Sequence, residues 1–364
     1  MKPGTQQRPV CGSEIPAPPA LAICGYSGAG KTTLIEALLP LLKARGLRVA
    51  VLKHDVHGLT LDRPGKDSDR LFRAGGDVLM QGPGEGFLRF HPASEADPVE
   101  TVQRLIPFYD LILMEGHKDT PLPNKIWLRR RSADRRPEGV SGVRMDLGRQ
   151  DDRVAAALKF VDSWLPRTWL RTPVYVGILI GGKSERMGTP KHLIRAGGRT
   201  WLERIVAVVR PLVEDVVLLG DAKVPEKLNA LTILPDVRGA GGPVAGMLAA
   251  MRWAPLASWL FLACDLPLVS RAAIQWLLAT RAPGVWATLP RSGNQGDLEP
   301  LLAHYDFRSR PLLEMCGRPS AIGASVKVIT PALPATLAPA WTNMNTPADL
   351  VLCRNDVRTR GSLR

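Results

Sequence analysis

Two apolar patterns alternate along this chain. Unbroken apolar runs of strand length occur at Leu21–Cys24, Val49–Lys53, Asp110–Gly116, Val174–Ile180 and Trp259–Asp265. Between them, apolar residues recur at helical spacing over Thr33–Lys43 and Arg153–Leu165, with a short helix predicted at Leu71–Ala74. Continuous apolar strands alternating with helices predict α/β architecture with largely parallel sheets. Pro166, Arg167 and Thr168, then Thr172-Pro173, supply turn and breaker residues, which puts a domain boundary near residue 170. Beyond it the order of strand, loop and helix starts afresh. The expected organisation is a disordered tail over 1–19, one domain over 20–168 and a second over 172–355.

Composition changes this picture little. A chain of 364 residues is long enough for two domains with separate cores. No apolar run reaches the length of a membrane span, and the Pro-rich, polar stretch from Met1 to about Pro19 lacks the apolar segment of a secretory signal. A cytoplasmic protein is the expectation. The five cysteines form no CxxC pair and suggest neither a zinc site nor a disulfide framework. The formal charge of +14 favours anionic partners, and much of the excess is local, in Arg129, Arg130, Arg131, Arg135, Arg136, Arg144 and Arg149. That cluster reads either as a solvated basic surface or as a docking surface for phosphorylated small molecules; the chain carries no recognisable nucleic-acid-binding motif.

The chemistry begins with Gly25-Tyr26-Ser27-Gly28-Ala29-Gly30-Lys31-Thr32, set between a strand and a helix. Glycines there let the main chain wrap an anion, with N–H groups pointing inward at the positive end of a helix dipole. The expected GTP contacts are Gly25, Gly28, Ala29, Gly30, Lys31, Thr32 and Thr33. Lys31 reaches the β- and γ-phosphates and Thr32 holds magnesium. Glu115, at the end of its strand, is the companion magnesium residue. Val49–Lys53 delivers His54, Asp55 and His57 into a loop at a strand's carboxyl end, where ligands bind in open α/β sheets; hydrogen bonds that only fix the loop are an equal reading for the two histidines.

Lys53-His54-Asp55, Pro64-Gly65-Lys66-Asp67-Ser68 and Leu113-Met114-Glu115-Gly116 resemble the molybdopterin-guanine dinucleotide biosynthesis adapter family, MobB, over roughly Leu21 to Leu165. The resemblance implies a P-loop NTPase domain with GTP binding, weak GTPase activity, dimerisation through this domain and partnership with a guanylyltransferase.

The second half opens differently. Val174–Ile180 leads into Gly181-Gly182-Lys183-Ser184-Glu185-Arg186-Met187-Gly188-Thr189-Pro190-Lys191, which lacks the GK[ST] of a P-loop. Its glycines let the main chain pass close to a base and its phosphates, while Arg186 and Lys191 neutralise the triphosphate and the departing pyrophosphate. Trp259–Asp265 is an apolar strand ending in a carboxylate before Pro267, so Asp265 is the magnesium ligand expected in this half. Asn343-Met344-Asn345-Thr346-Pro347 places two asparagines at alternate positions, where both can face one way and offer donors and acceptors to a pterin or phosphate. Asn345 and Thr346 also fit the start of a helix with Pro347 at its first position.

These segments are similar to the nucleotidyltransferases of Rossmann-like fold, and among them to molybdenum cofactor guanylyltransferase, MobA, over about Pro173 to Leu352. Leu234-Pro235-Asp236 with Gly242-Pro243-Val244-Ala245-Gly246 belongs to the same resemblance, as does Glu299-Pro300-Leu301 near the acceptor site. Ile180 stands where that family usually has Ala, the loop to Lys191 is one residue shorter, and Pro190 replaces the usual Asp. The resemblance implies GTP contacts from Leu179, Ile180, Gly181, Gly182, Lys191, Asp236 and Asp265, molybdopterin contacts from Asn343 and Asn345, and catalytic roles for Asp265, Lys191 and Arg186. It implies transfer of GMP from GTP to molybdenum-bound molybdopterin with Mg2+, and delivery of the product towards molybdopterin-insertion proteins and apo-molybdoenzymes. Two alternatives stay open: transfer of CMP to the same pterin, and a non-catalytic cofactor carrier.

Overall fold

The structure, a computed structural model, describes residues 18–53, 62–91, 97–181, 190–292 and 296–344. Residues 1–17 of the tail expected over 1–19, together with His54, Asp55, His57, Gly182, Arg186 and Asn345, lie outside the described residues. The chain divides into two compact units. One comprises Pro18–Ala44 and Arg48–Lys159; the other runs from Phe160 onward and includes Arg45–Leu47.

The first unit contains β1 (Ala20–Gly25), α1 (Lys31–Ala44), β2 (Val49–Lys53), α2 (Asp67–Arg73), β3 (Val78–Gly82), β4 (Glu85–Arg89), α3 (Pro98–Leu105), β5 (Leu111–Glu115), β6 (Lys125–Leu128) and β7 (Val143–Leu147). Its main sheet has the order β2-β5-β1-β6-β7 with every pairing parallel. The unbroken apolar runs have their reason in burial, since Leu21, Ile23, Leu111, Ile112, Leu113 and Ile126 are wholly enclosed. β3 and β4 form a separate antiparallel hairpin. The short helix expected at Leu71–Ala74 begins earlier, at Asp67, with Asp67 and Asp69 in a first turn that favours negative charge.

α4 (Arg153–Leu170) runs through Pro166, where a turn is expected. Proline removes one N–H from a helix interior. Here Leu165 and Trp169 are buried on the same helix, and that burial outweighs the lost bond.

The second unit continues with β8 (Val174–Leu179), β9 (Arg195–Ala196), β10 (Arg199–Thr200), α5 (Trp201–Val209), β11 (Asp215–Leu219), β12 (Thr232–Leu234), α6 (Pro243–Trp253), β13 (Ser258–Ala263), α7 (Arg271–Ala279), β14 (Ala287–Thr288), β15 (Ala303–Tyr305), α8 (Arg310–Cys316) and β16 (Val328–Ile329). The sheet order is β12-β11-β8-β13-β15-β14-β16. Pairings are parallel from β12 to β13, while β15 runs antiparallel to both its neighbours. Alternation along each strand feeds two cores. Val176, Ile178, Leu260 and Leu262 pack with Leu202, Ile205, Ile274 and Leu277 on one side. Trp259, Phe261, Val217 and Leu219 pack with Met247, Met251 and Leu313 on the other. Both units are therefore α/β, the second with a mixed sheet. Among the described residues, no helix is long and apolar enough to cross a membrane.

Candidate functional sites

In the first unit, β1 is the middle strand and the glycine loop follows its carboxyl end. Gly28 and Gly30 take φ of 73° and 88°, conformations that glycine adopts without steric cost. A Cβ on Gly25 would lie 2.6 Å from the Leu128 carbonyl oxygen, so only glycine lets the loop leave β1 this close to β6. Lys31 opens α1 and donates to the carbonyls of Gly25 and Tyr26 at 3.2 and 3.1 Å, which keeps its ammonium inside the curve of the loop. The Thr32 hydroxyl donates to Glu115 Oε1 at 2.8 Å, and Lys53 Nζ stands 3.8 Å from Oε2. The structure thus brings together Lys31, Thr32 and Glu115, three of the residues singled out in the sequence. Thr33 is exposed on α1. The Thr32 hydroxyl and the Glu115 carboxylate are a hard-oxygen pair of the kind magnesium takes.

Beneath this loop, Cys24 donates its thiol to the Gly116 carbonyl, and burial pushes its pKa up to about 11. It stays protonated and serves packing rather than chemistry. The Pro64-Gly65-Lys66-Asp67-Ser68 segment is a braced turn: Gly65 N–H and the Arg89 guanidinium both donate to Asp69, and Ser68 donates to Asp62. The Gly65 N–H, ahead of the Arg89 guanidinium, holds the Asp69 carboxyl below its ordinary range. Lys66 and Asp67 face solvent.

In the second unit, β8 has β11 on one side and β13 on the other, all three parallel, so the strand order switches at its carboxyl end, where open α/β sheets bind ligands. A cavity of about 450 Å³ opens there, lined among others by Leu179, Ile180, Gly181, Lys191, Asp236 and Asp265. All six are residues expected to contact the nucleotide. Lys191 Nζ donates to Asp265 Oδ2 at 3.0 Å, with about a fifth of each side chain exposed. His192, buried next to it, fixes the turn: its Nε2 lies 2.8 Å from the Lys223 carbonyl, and since a carbonyl only accepts, that nitrogen carries the proton.

Asp265 Oδ1 is buried and makes no hydrogen bond with any described residue. An anionic oxygen in that condition is costly unless a cation joins it, so the residue fits a magnesium ion. The adjacent Cys264 thiol is raised to about 12, chiefly by burial and then by the Asp265 charge, and remains protonated. Asn343 is exposed, and the Met344 N–H donates to the Asp265 carbonyl at 3.0 Å, so the asparagine segment adjoins the strand-end carboxylate.

Leu219 and Gly220 escape a motif-based reading. Leu219 lines the cavity, and a Cβ on Gly220, which has φ of 113°, would lie 2.8 Å from the Gly181 nitrogen. The signal that could find them is an apolar run, Val216–Leu219, ended by glycine.

A glycine loop between a central strand and a helix, with Thr32 bonded to a strand-end carboxylate, gives the first unit the form of a P-loop domain. The glycine turn at the switch point with the Lys191–Asp265 pair has the form of a nucleotidyltransferase site. Comparisons with known proteins agree. The model of the family described as molybdopterin guanine dinucleotide synthesis protein B matches residues 20–141. The model described as the MobA-like NTP transferase domain matches residues 176–324. The chain is 33% identical over 167 residues to the molybdopterin-guanine dinucleotide biosynthesis adapter protein of Haemophilus influenzae, covering 40% of this chain and 89% of that one. It is 29% identical over 189 residues to a probable molybdenum cofactor guanylyltransferase of Pelotomaculum thermopropionicum, covering 49% and 90%. A molybdenum cofactor biosynthesis bifunctional protein of Synechocystis is 32% identical over 137 residues, 37% of this chain and 40% of that one. The chain belongs to the MobB adapter family through its first unit and to the MobA-like guanylyltransferase family through its second. It is a bifunctional protein of molybdenum cofactor biosynthesis, and its second unit is a nucleotidyltransferase domain.

Proposed function

We propose that the second unit transfers GMP from GTP to Mo-molybdopterin, giving Mo-molybdopterin guanine dinucleotide and pyrophosphate, with the first unit as an auxiliary GTP-binding adapter. The observation that carries this reading is the Lys191–Asp265 pair at the rim of the 450 Å³ cavity, with one Asp265 oxygen left for a cation. An oxygen of the pterin's terminal phosphate forms the new bond to the α-phosphorus of GTP, and the bond from that phosphorus to the bridging oxygen of pyrophosphate breaks. A phosphate nucleophile needs no strong base, so positioning and charge neutralisation supply most of the rate.

Lys191 neutralises the charge that gathers on the departing pyrophosphate, and Arg186 is assigned the same task. Leu179, Ile180 and Gly181 seat the nucleotide, Asp236 contacts it across the cavity, and Asn343 and Asn345 receive the pterin. Asp265 in the second unit, and Thr32 with Glu115 in the first, would each hold a magnesium ion, which would supply charge compensation for the phosphates at that site.

The adapter reading includes pairing of two copies through the β3–β4 hairpin, which leaves Leu79, Leu88 and Phe90 more than half exposed. Sizing Leu88→Asp beside the wild type tests it, a dimer turned monomer being the supporting result. Cytoplasmic location and hand-over to molybdopterin-insertion and apo-molybdoenzyme proteins complete the proposal.

Pyrophosphate release from GTP in the presence of Mo-molybdopterin tests the reaction. Release by the wild type and its loss in Asp265→Ala supports the assignment. A wild-type rate in that variant sinks it, and a preference for CTP when both nucleotides compete would make the enzyme a cytidylyltransferase.

A further inference from the structure

One half-buried polar contact of the first unit belongs to none of the motifs. Arg153, the first residue of α4, spreads its guanidinium over three loops. Nη1 donates to the Ala29 carbonyl at 2.7 Å, Nε to the Gly148 carbonyl at 2.7 Å, and Nη2 to the Arg129 carbonyl at 2.5 Å. The three acceptors sit in the glycine loop after β1, the turn after β7 and the loop after β6.

We infer that Arg153 is a positioning residue for nucleotide binding, holding the glycine loop in its anion-cradling form before any phosphate arrives. The inference rests on the glycine loop being a nucleotide site. A peptide group is planar and trans, so its C=O and the next N–H point in opposite directions. With the Ala29 carbonyl fixed on the guanidinium, the Gly30 N–H is turned away from Arg153. It makes no hydrogen bond with any described residue, which leaves it for an incoming anion.

Such a clamp answers a specific weakness of the loop. Gly28 and Gly30 both have positive φ, and glycine rotates between wells at little cost, so nothing in their own chemistry keeps the Ala29–Gly30 peptide facing one way. A planar guanidinium can serve three divergent carbonyls at once, whereas an ammonium is a point donor on a flexible stem. Arg153 also ties the loop to the ends of β6 and β7, so the cradle is preformed by the same sheet that presents it. Without the clamp, part of the binding energy of the phosphate goes into ordering the loop.

The test uses the full chain, magnesium and a fluorescent N-methylanthraniloyl GTP. The binding component lost in Lys31→Ala is that of the glycine loop; if that variant loses none, the nucleotide reading of the loop fails, whatever Arg153 does. Arg153→Lys is expected to weaken the component by roughly tenfold and slow its association, with thermal stability near that of the wild type. Free guanidinium at millimolar concentration is expected to restore affinity to Arg153→Ala, while ammonium does not. An affinity of Arg153→Lys within about twofold of wild type overturns the inference. So does a variant that loses thermal stability while its folded fraction binds at full affinity, the outcome of a merely structural role.

Discussion

The Lys191 ammonium donates to Asp265 Oδ2 at 3.0 Å, while Oδ1 of the same carboxylate is buried without a hydrogen-bond partner among the described residues. The pair therefore satisfies one oxygen of the carboxylate with a lysine and leaves the other for the cation that the proposed reaction calls for.

In the proposed reaction the two side chains act on one phosphate chain, so their losses should not add. Lys191→Ala and Asp265→Ala are each expected to lower the rate of pyrophosphate release by about a hundredfold or more. The double variant should be little slower than the worse single one, as for groups that act as a unit. Steady-state release at saturating GTP measures all three. Full additivity would mean that the ion pair is incidental to the chemistry.

Gly220 meets two demands that no other residue satisfies together. Its φ of 113° is costly for any side chain, and a Cβ would press on the Gly181 nitrogen at 2.8 Å. Gly220→Ala is expected to lower stability by about 1–3 kcal/mol and to weaken GTP binding in the second unit, since Gly181 lines the cavity. Gly317→Ala is the control: Gly317 has φ of 63° with nothing within 4 Å of a Cβ, so it carries backbone strain alone. Urea unfolding beside equilibrium binding separates the two, and only Gly220→Ala should change affinity.

His304, in the middle of β15, is fully enclosed, and neither ring nitrogen has a hydrogen-bond partner among the described residues. Burial, followed by the nearby Arg281 charge, lowers its pKa to about 3. Between the unfolded value of 6.5 and about 3 the unfolded chain binds one more proton than the folded one, so stability rises with pH across that window and is level above it. Acidification below 6.5 should cost about 1.4 kcal/mol per pH unit from this residue. His304→Leu is expected to remove one proton's worth of slope from urea midpoints measured between pH 7.5 and 5, values chosen to straddle about 6.5. An unchanged slope would exclude His304 as the source.

Much of this architecture is legible in the residues because burial writes it there. β2 spans Val49–Lys53 as its apolar run predicts and β5 ends on Glu115, whereas β13 ends at Ala263 and leaves Asp265 in the turn two residues on, short of the strand expected over Trp259–Asp265. Elements that gain little from burial, or that are too short to carry an apolar pattern, are not legible. The β3–β4 hairpin has exposed Leu79 and Leu88, and the three-residue β15 has a histidine at its centre. Pro166 misleads for the opposite reason, since the local rule yields to the burial of Leu165 and Trp169. In the sites, Lys31, Thr32, Glu115, Lys191 and Asp265 are each readable from motif and position. Their contacts are not, nor is the Arg153 clamp, because nothing in a linear pattern says which carbonyls converge 124 residues apart.

The two glycine loops should respond unequally to loss of their lysines. Lys31 draws its ammonium onto the carbonyls of Gly25 and Tyr26, within a loop assigned to an auxiliary nucleotide, whereas Lys191 is paired with the carboxylate assigned to the chemistry. Lys31→Ala is expected to weaken GTP binding by the first unit by on the order of tenfold or more, the cost of losing a charge-assisted phosphate contact. Formation of the guanine dinucleotide should only slow, because the second unit retains its own cavity and ion pair. Dinucleotide yield measured beside binding in Lys31→Ala and Lys191→Ala decides the matter. If Lys31→Ala stops transfer altogether while the Lys191–Asp265 site still binds GTP, the two units are obligatorily coupled and the auxiliary role is wrong.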